Sequence, residues 1–212
     1  MPEYGEPSER FINPEHQPSY LDIPELIELI DEPYRSACQR LLADHTDRMQ
    51  NASGSSHNHQ PWEGDYWDHI RDCMNLASVY YDVDSSLRPL PFSKSDALLV
   101  MFLHDLEKPW RYDWQDGEKT RNEDLRTKPQ KKRFRKMLLR ENEIKLTSEQ
   151  QNAFTYAEGE LDDYTNERRV MNELAAFCHA IDVKSARMWH DYPQPDDAWA
   201  GATRVSAGPA TP

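Results

Sequence analysis

Seven consecutive residues, Ala97, Leu98, Leu99, Val100, Met101, Phe102 and Leu103, leave a helix with no polar side, so any helix formed here has to be enclosed by others. Ser93 or Ser95 just before the run suits an N-cap. The pattern predicts a central helix over 93–108 and, around it, an all-α bundle. The run ends in His104 and Asp105, with Lys108 beyond. Neighbours on a helix lie about 100° apart, so His104 and Asp105 do not face each other, yet both can reach one ion placed beside the helix end. Lys108 shares the face of His104 and would set a positive charge near any anion that such an ion holds. A hydrogen-bonded histidine, a capping aspartate and a solvated lysine fit the same stretch, and it leaves both readings open.

Length and charge narrow the classes. A chain of 212 residues with 37% hydrophobic residues can bury one sizeable core and still carry tails. Its net charge of −13 argues against a general nucleic-acid or membrane coat, which needs basic surface. No stretch approaches the roughly 20 apolar residues of a membrane span, and residues 1–20 lack a signal-peptide core. The expectation is a cytoplasmic protein without membrane contact. Cys38, Cys73 and Cys178 are unclustered and lack zinc spacing, so reduced, buried thiols are expected.

Along the chain, residues 1–22 are rich in Pro, Glu and Ser and read as an N-terminal arm. Residues 23–192 read as one helical domain. Apolar spacing predicts helices over 23–30, 33–49 and 66–83; in the last, His69 sits beside a stripe that includes Ile70, Cys73, Leu76 and Tyr80. Residues 51–63 read as a loop containing His57 and His59, and 109–117 as an aromatic loop. The segment 126–140 holds eight Lys or Arg and no acid. Pro129 is expected to interrupt it, leaving a helix over 130–141 with Phe134, Met137 and Leu138 inward. Its charges suit either a solvated face or a contact for phosphates or an acidic neighbouring subunit. Thr147 to Gln150 has capping-box spacing for a helix ending near Gly159. A long helix over 167–192 places Asp182 next to buried Ile181, where a carboxylate needs a partner: His179 one turn earlier, or a metal ion. Residues 193–212 turn to Pro, Ala, Gly and Ser and read as a disordered C-terminal tail.

Three stretches, NHQPWEGDYWDHIRDCMNLA, ALLVMFLHDLEKPW and AAFCHAIDVKSARMW, together resemble the successive metal-binding helices of the HD-domain superfamily of metal-dependent phosphohydrolases. That family reads a single His, a His-Asp pair, then a distant Asp. Matched here, the resemblance implies His69, His104, Asp105 and Asp182 as ligands of one divalent ion. The second stretch is similar to the HD-x-x-K-P variant, with Glu107 where small residues are common. The first is similar to a branch that reads His-His, Gly-Gly, then Glu-His. This chain departs from that pattern, since Asn58 separates His57 from His59, only Gly64 of the glycine pair is present, and Asp68 precedes His69. Two-metal and oxygenase members insert further histidines, whereas none lies between Asp105 and His179 here.

Two imidazoles and two carboxylates leave coordination positions open for water and a phosphate oxygen. Such a donor set admits manganese, magnesium, iron, cobalt, nickel or zinc. Lys108, with His57 or His59 from the loop, is the candidate catalytic support, neutralising phosphate charge and protonating a leaving oxygen. Trp62 and Arg111 are candidate substrate contacts, and Trp67, Trp110 and Trp114 are further rings able to stack a base. The resemblance thus implies a hydrolase acting on a nucleotide or another phosphorylated small molecule. Two other classes stay open: an enzyme trimming nucleic-acid ends with 126–140, and a metal-binding regulatory module without turnover. Homo-oligomers are compatible with all three.

Overall fold

A computed structural model describes residues 18–53, 62–115, 118–194, 199 and 201–206. Its α-helices are α1 (Ile23–Ile27), α2 (Tyr34–Gln50), α3 (Asp65–Leu87), α4 (Lys94–Leu103), α5 (Lys128–Glu141), α6 (Ser148–Tyr156) and α7 (Glu173–Met188). The fold is all-α apart from one small hairpin. Helix α4 is the centre, packed by α1, α3, α6 and α7. Every residue from Ala97 to Leu103 is at most 1% exposed, as a run without a polar side requires. Ser93 caps α4 in a capping box with Asp96, and Ser95 Oγ instead accepts from the Asp31 backbone N–H.

Several boundaries differ from the sequence reading, each for a local reason. Helix α4 ends at Leu103, not Lys108. Residues 104–107 form turns, and Lys108–Trp110 a 3-10 helix. Pro109 has no N–H to continue the ladder and disfavours helical backbone at Lys108, so the chain tightens to three-residue bonds such as Lys108 N–H to Asp105 O at 2.9 Å. Pro129 does not interrupt α5 but lies in its first turn, where a missing N–H costs nothing, behind Thr127 in a capping box with Gln130. In α5 it is Leu138 and Leu139 that are buried, while Met137 is 36% exposed. Helix α7 starts at Glu173 because Asn172 caps it, its side chain accepting from Ala175 N–H at 2.8 Å. The aromatic loop is partly a hairpin, with β1 (Tyr112–Gln115) antiparallel to β2 (Glu118–Arg121) and Tyr112 opposite Arg121.

The entry into α3 sets the height of His69. Gly64 has φ +78, and a Cβ there would meet Gln50 O at 2.8 Å, so only glycine lets α3 begin this close to the end of α2. The two ends of the chain also fasten to α3. Leu21 N–H donates to Asn75 Oδ1 at 2.8 Å, and the Tyr20 hydroxyl to Asp72. Residues 201–206 of the C-terminal tail have no helix or strand, yet they are packed: Ala202 and Arg204 are buried. Composition predicted a disordered tail there, but a short segment stays ordered where α3 offers polar partners. Cys38, Cys73 and Cys178 are free and buried. Among the described residues no helix is long and apolar enough to cross a membrane.

Candidate metal centre

Three elements deliver four polar side chains to one buried point. Helix α3 carries His69, the turn after α4 carries His104 and Asp105, and α7 carries Asp182. His69 Nε2 lies 3.1 Å from Asp182 Oδ1, 3.4 Å from His104 Nε2 and 3.7 Å from Asp105 Oδ2. His104 Nε2 lies 3.5 Å from Asp105 Oδ2 and 3.6 Å from Asp182 Oδ1. His69, His104 and Asp105 are at most 1% exposed. Donors about 2.0–2.2 Å from one ion stand about 3.0–3.6 Å apart, so His69, His104 and Asp182 are spaced for a single cation, with Asp105 against both imidazoles.

Both rings are turned to the point by their other nitrogen. His69 Nδ1 meets Ser185 Oγ at 3.1 Å, and His104 Nδ1 donates to Met101 O at 2.8 Å, which turns Nε2 of His104 inward. Asp182 and Ser185 are one turn apart on α7, so that helix holds the His69 ring at both ends. His179 does not pair with Asp182; its Nδ1 faces Ala157 O at 2.9 Å. In place of His179, Asp182 faces the imidazoles of His69 and His104, a pairing that the sequence reading did not name.

Electrostatics mark the place as one built for positive charge. Burial alone would lower the His104 imidazole, but Asp105 and Asp182 outweigh it and push it up to about 9. Burial keeps the His69 imidazole below its ordinary value. Against the same burial, Lys108 and the two histidines hold Asp105, and the histidines hold Asp182, well below the usual carboxylate range. Asp105 Oδ1 and the Tyr66 hydroxyl are buried without a hydrogen-bond partner among the described residues. An ion or its water would satisfy such atoms.

Lys108, 7% exposed, does not follow His104 along a helix. It bonds Asp105 through the turn. Glu107 is 2% exposed and structural: it pairs with Arg111 and lies 3.7 Å from Arg135 of α5, whose Nη1 donates to His104 O at 3.3 Å. Arg111 is therefore engaged by Glu107 at the site's edge. Trp62 is buried, donates Nε1–H to Asp68 Oδ2 at 2.8 Å and lies under the Arg204 guanidinium at 3.8 Å, which leaves no face for a base. As a substrate contact it is corrected to a core residue. His57 and His59 lie outside the described residues.

Three neighbours went unassigned in the sequence. Cys73, four residues after His69 on α3, forms with His69, His104 and Asp182 a group whose donor atoms lie within 4.8 Å of one another and which could hold a metal ion. Its Sγ is almost equidistant from the two nitrogens of His69, at 3.7 and 3.8 Å, so it sits beside the ring and off the Nε2 lone pair; burial also pushes the thiol well above its ordinary value. Ser185 was legible only as a residue one turn from Asp182. Glu158 is exposed as a residue, yet burial of its carboxyl followed by the nearby Asp105 charge pushes it up to about 7. No family model, no curated protein and no solved structure matches this chain.

Proposed function

We propose that the protein is an HD-type, metal-dependent phosphohydrolase acting on a phosphate ester or anhydride of a nucleotide. The observation that supports this is the convergence of His69, His104, Asp105 and Asp182: each imidazole Nε2 lies 3.1 to 3.7 Å from an oxygen of both carboxylates, the two Nε2 atoms are 3.4 Å apart, and both imidazoles are oriented from behind. A divalent ion held there would supply Lewis acidity and a water acidic enough to give hydroxide near neutral pH. The chain's own part is to fix the donors, exclude bulk water and place charge. The two carboxylates neutralise the ion, and the buried imidazoles stay rigid because Ser185 and the Met101 carbonyl hold them. Lys108 keeps Asp105 in place and is the cation best set to meet a phosphate oxygen as negative charge grows on it. Arg111 and Arg135, tied to Glu107, stiffen the turn that carries the pair.

The direct test is phosphate release from a panel of nucleotides, after chelation and re-addition of each candidate metal. Release that depends on one or more of these ions is the expected result. Metal uptake without release from any nucleotide would remove the nucleotide hydrolase reading. Within the site, Lys108→Ala is expected to lower turnover by about 10² or more with the ion still bound. Glu107→Ala is expected to act on the fold, costing about 3–5 kcal/mol, because Arg111 and Arg135 lose their buried partner. Turnover at saturating metal and a urea titration separate the two. If Glu107→Ala left stability intact and removed turnover, the assignment of charge would pass to that carboxylate.

A further inference from the structure

Helix α5 concentrates the chain's positive charge next to the metal centre. The eight cations of 126–140 belong to a chain of net charge −13, so the remainder carries −21. Three of the eight have acidic partners: Arg126 with Glu123, Lys128 with Asp162, and Arg135 with Glu107. Among the described residues Lys131, Lys132, Arg133, Lys136 and Arg140 have no ion pair. Arg133, Lys136 and Arg140, spaced three and four apart, form one stripe about 10 Å long on the face opposite Leu138. They line a shallow groove of about 600 Å³ whose floor includes the half-buried Phe134 and the exposed side of Met137. The groove is fastened to the site at consecutive residues. The Phe134 ring packs on Trp110 at 5.4 Å, just beyond the His-Asp turn, and Arg135 donates to His104 O.

We infer that α5 is a docking surface for single-stranded nucleic acid, with Arg133, Lys136 and Arg140 on backbone phosphates and Phe134 and Met137 beneath the bases. Charge complementarity carries the argument. The rest of the chain carries −21, which favours a polyanion along this helix over the remaining surface on average, and Asp124 is the one acid among the residues lining the groove. The apolar floor between the cations suits stacked bases better than an acidic peptide, whose side chains have no flat face. A free nucleotide would need only the cations at the site itself, whereas the stripe continues away from it. The docking stands on its own; that the strand's end reaches the metal centre rests on the phosphohydrolase reading.

The test is fluorescence anisotropy with the full chain in chelator, using labelled RNA and DNA strands of about 12 nucleotides and a poly-glutamate peptide of equal length. Binding of the strands is expected to weaken between about 50 and about 200 mM salt, with a log–log slope of at least about −2 from three phosphate contacts. Arg133→Glu, Lys136→Glu and Arg140→Glu combined should cut affinity at least about 10-fold and remove about two units of that slope. Unequal binding of the RNA and DNA strands would assign a role to the 2′-hydroxyl. No salt-dependent binding, equal binding by the triple variant, or poly-glutamate binding as tightly as the strands would each overturn the proposal, the last in favour of an acidic protein surface. Metal uptake by the same triple variant, measured after chelator removal, should be unchanged. Failure of the metal centre would show there and leave the anisotropy result standing.

Discussion

Asp182→Ala is expected to remove bound metal, taking the chain from about one ion to a small fraction of one after dialysis against a micromolar supply. Asp182 offers the donor closest to His69 Nε2, at 3.1 Å, and it comes from a helix that supplies no other donor to the point. Loss of residues that merely orient a ligand costs about 10–100-fold in affinity, so loss of the ligand itself should exceed about 10². The fold should survive, because the Asp182 side chain is 18% exposed and borders solvent on one side. Metal analysis together with a thermal melt reads both. A variant that kept its full metal content would show that the four donors do not act on one ion. Asp105→Ala is a poorer probe, although the sequence alone makes it look equivalent. Asp105 is buried against Lys108, and its removal leaves that ammonium unpaired in the core, so fold and function would fail together.

A large effect on stability is expected at Asp68. Its carboxylate is fully buried and gathers Arg71 at 2.7 Å, Trp62 Nε1 at 2.8 Å and the Val205 backbone N–H at 3.2 Å. Burial pushes its carboxyl up to about 6, and these three partners keep it from rising further, so it is mainly ionised at neutral pH. Asp68→Ala leaves the buried Arg71 without its closest anion and releases the tail that Val205 anchors, at a cost of about 3–5 kcal/mol. For a chain of this size that lowers the melting temperature by roughly 6–20 °C. Asp68→Asn keeps acceptors for Trp62 and Val205 and should lose less. Thermal and urea melts of metal-free protein measure it, and a loss below about 0.5 kcal/mol in the alanine variant would refute this account. The residue stands next to His69, so the same contacts that hold the C-terminal segment also fix the first turns of α3, which carry that ligand.

Much of this was legible in order of residues. The run from Ala97 to Leu103 required enclosure, and enclosure of one apolar helix by others is already the fold class, because burial follows from side-chain type and the helical period alone. The capping box at Thr147 marked a helix start for the same reason: the partners are three residues apart and need no tertiary help, whereas Ser93 and Ser95 were equal N-cap candidates until the box with Asp96 chose Ser93. The box at Thr127 has that spacing too, although Pro129 inside it reads equally as a helix breaker. The dipeptide Asp-Gly at 116–117 is a hairpin signal in the sequence, set among aromatics that suit a loop as well.

Relations between residues far apart in sequence come only with the packed fold. Nothing near Asp182 distinguishes His179, one turn away, from His69 and His104 as its partner; packing of α7 on α3 and α4 does. The role of Glu107 is set by Arg135, which lies on another helix, and the burial of Trp62 by Arg204 from a segment whose composition alone suggests disorder. Local propensity and periodicity act over one or two turns, which is enough to place the helices to within a few residues, the central run and the residue types able to bind a cation. Pair choice among buried charges depends on which surfaces meet, and that is fixed only when the core closes.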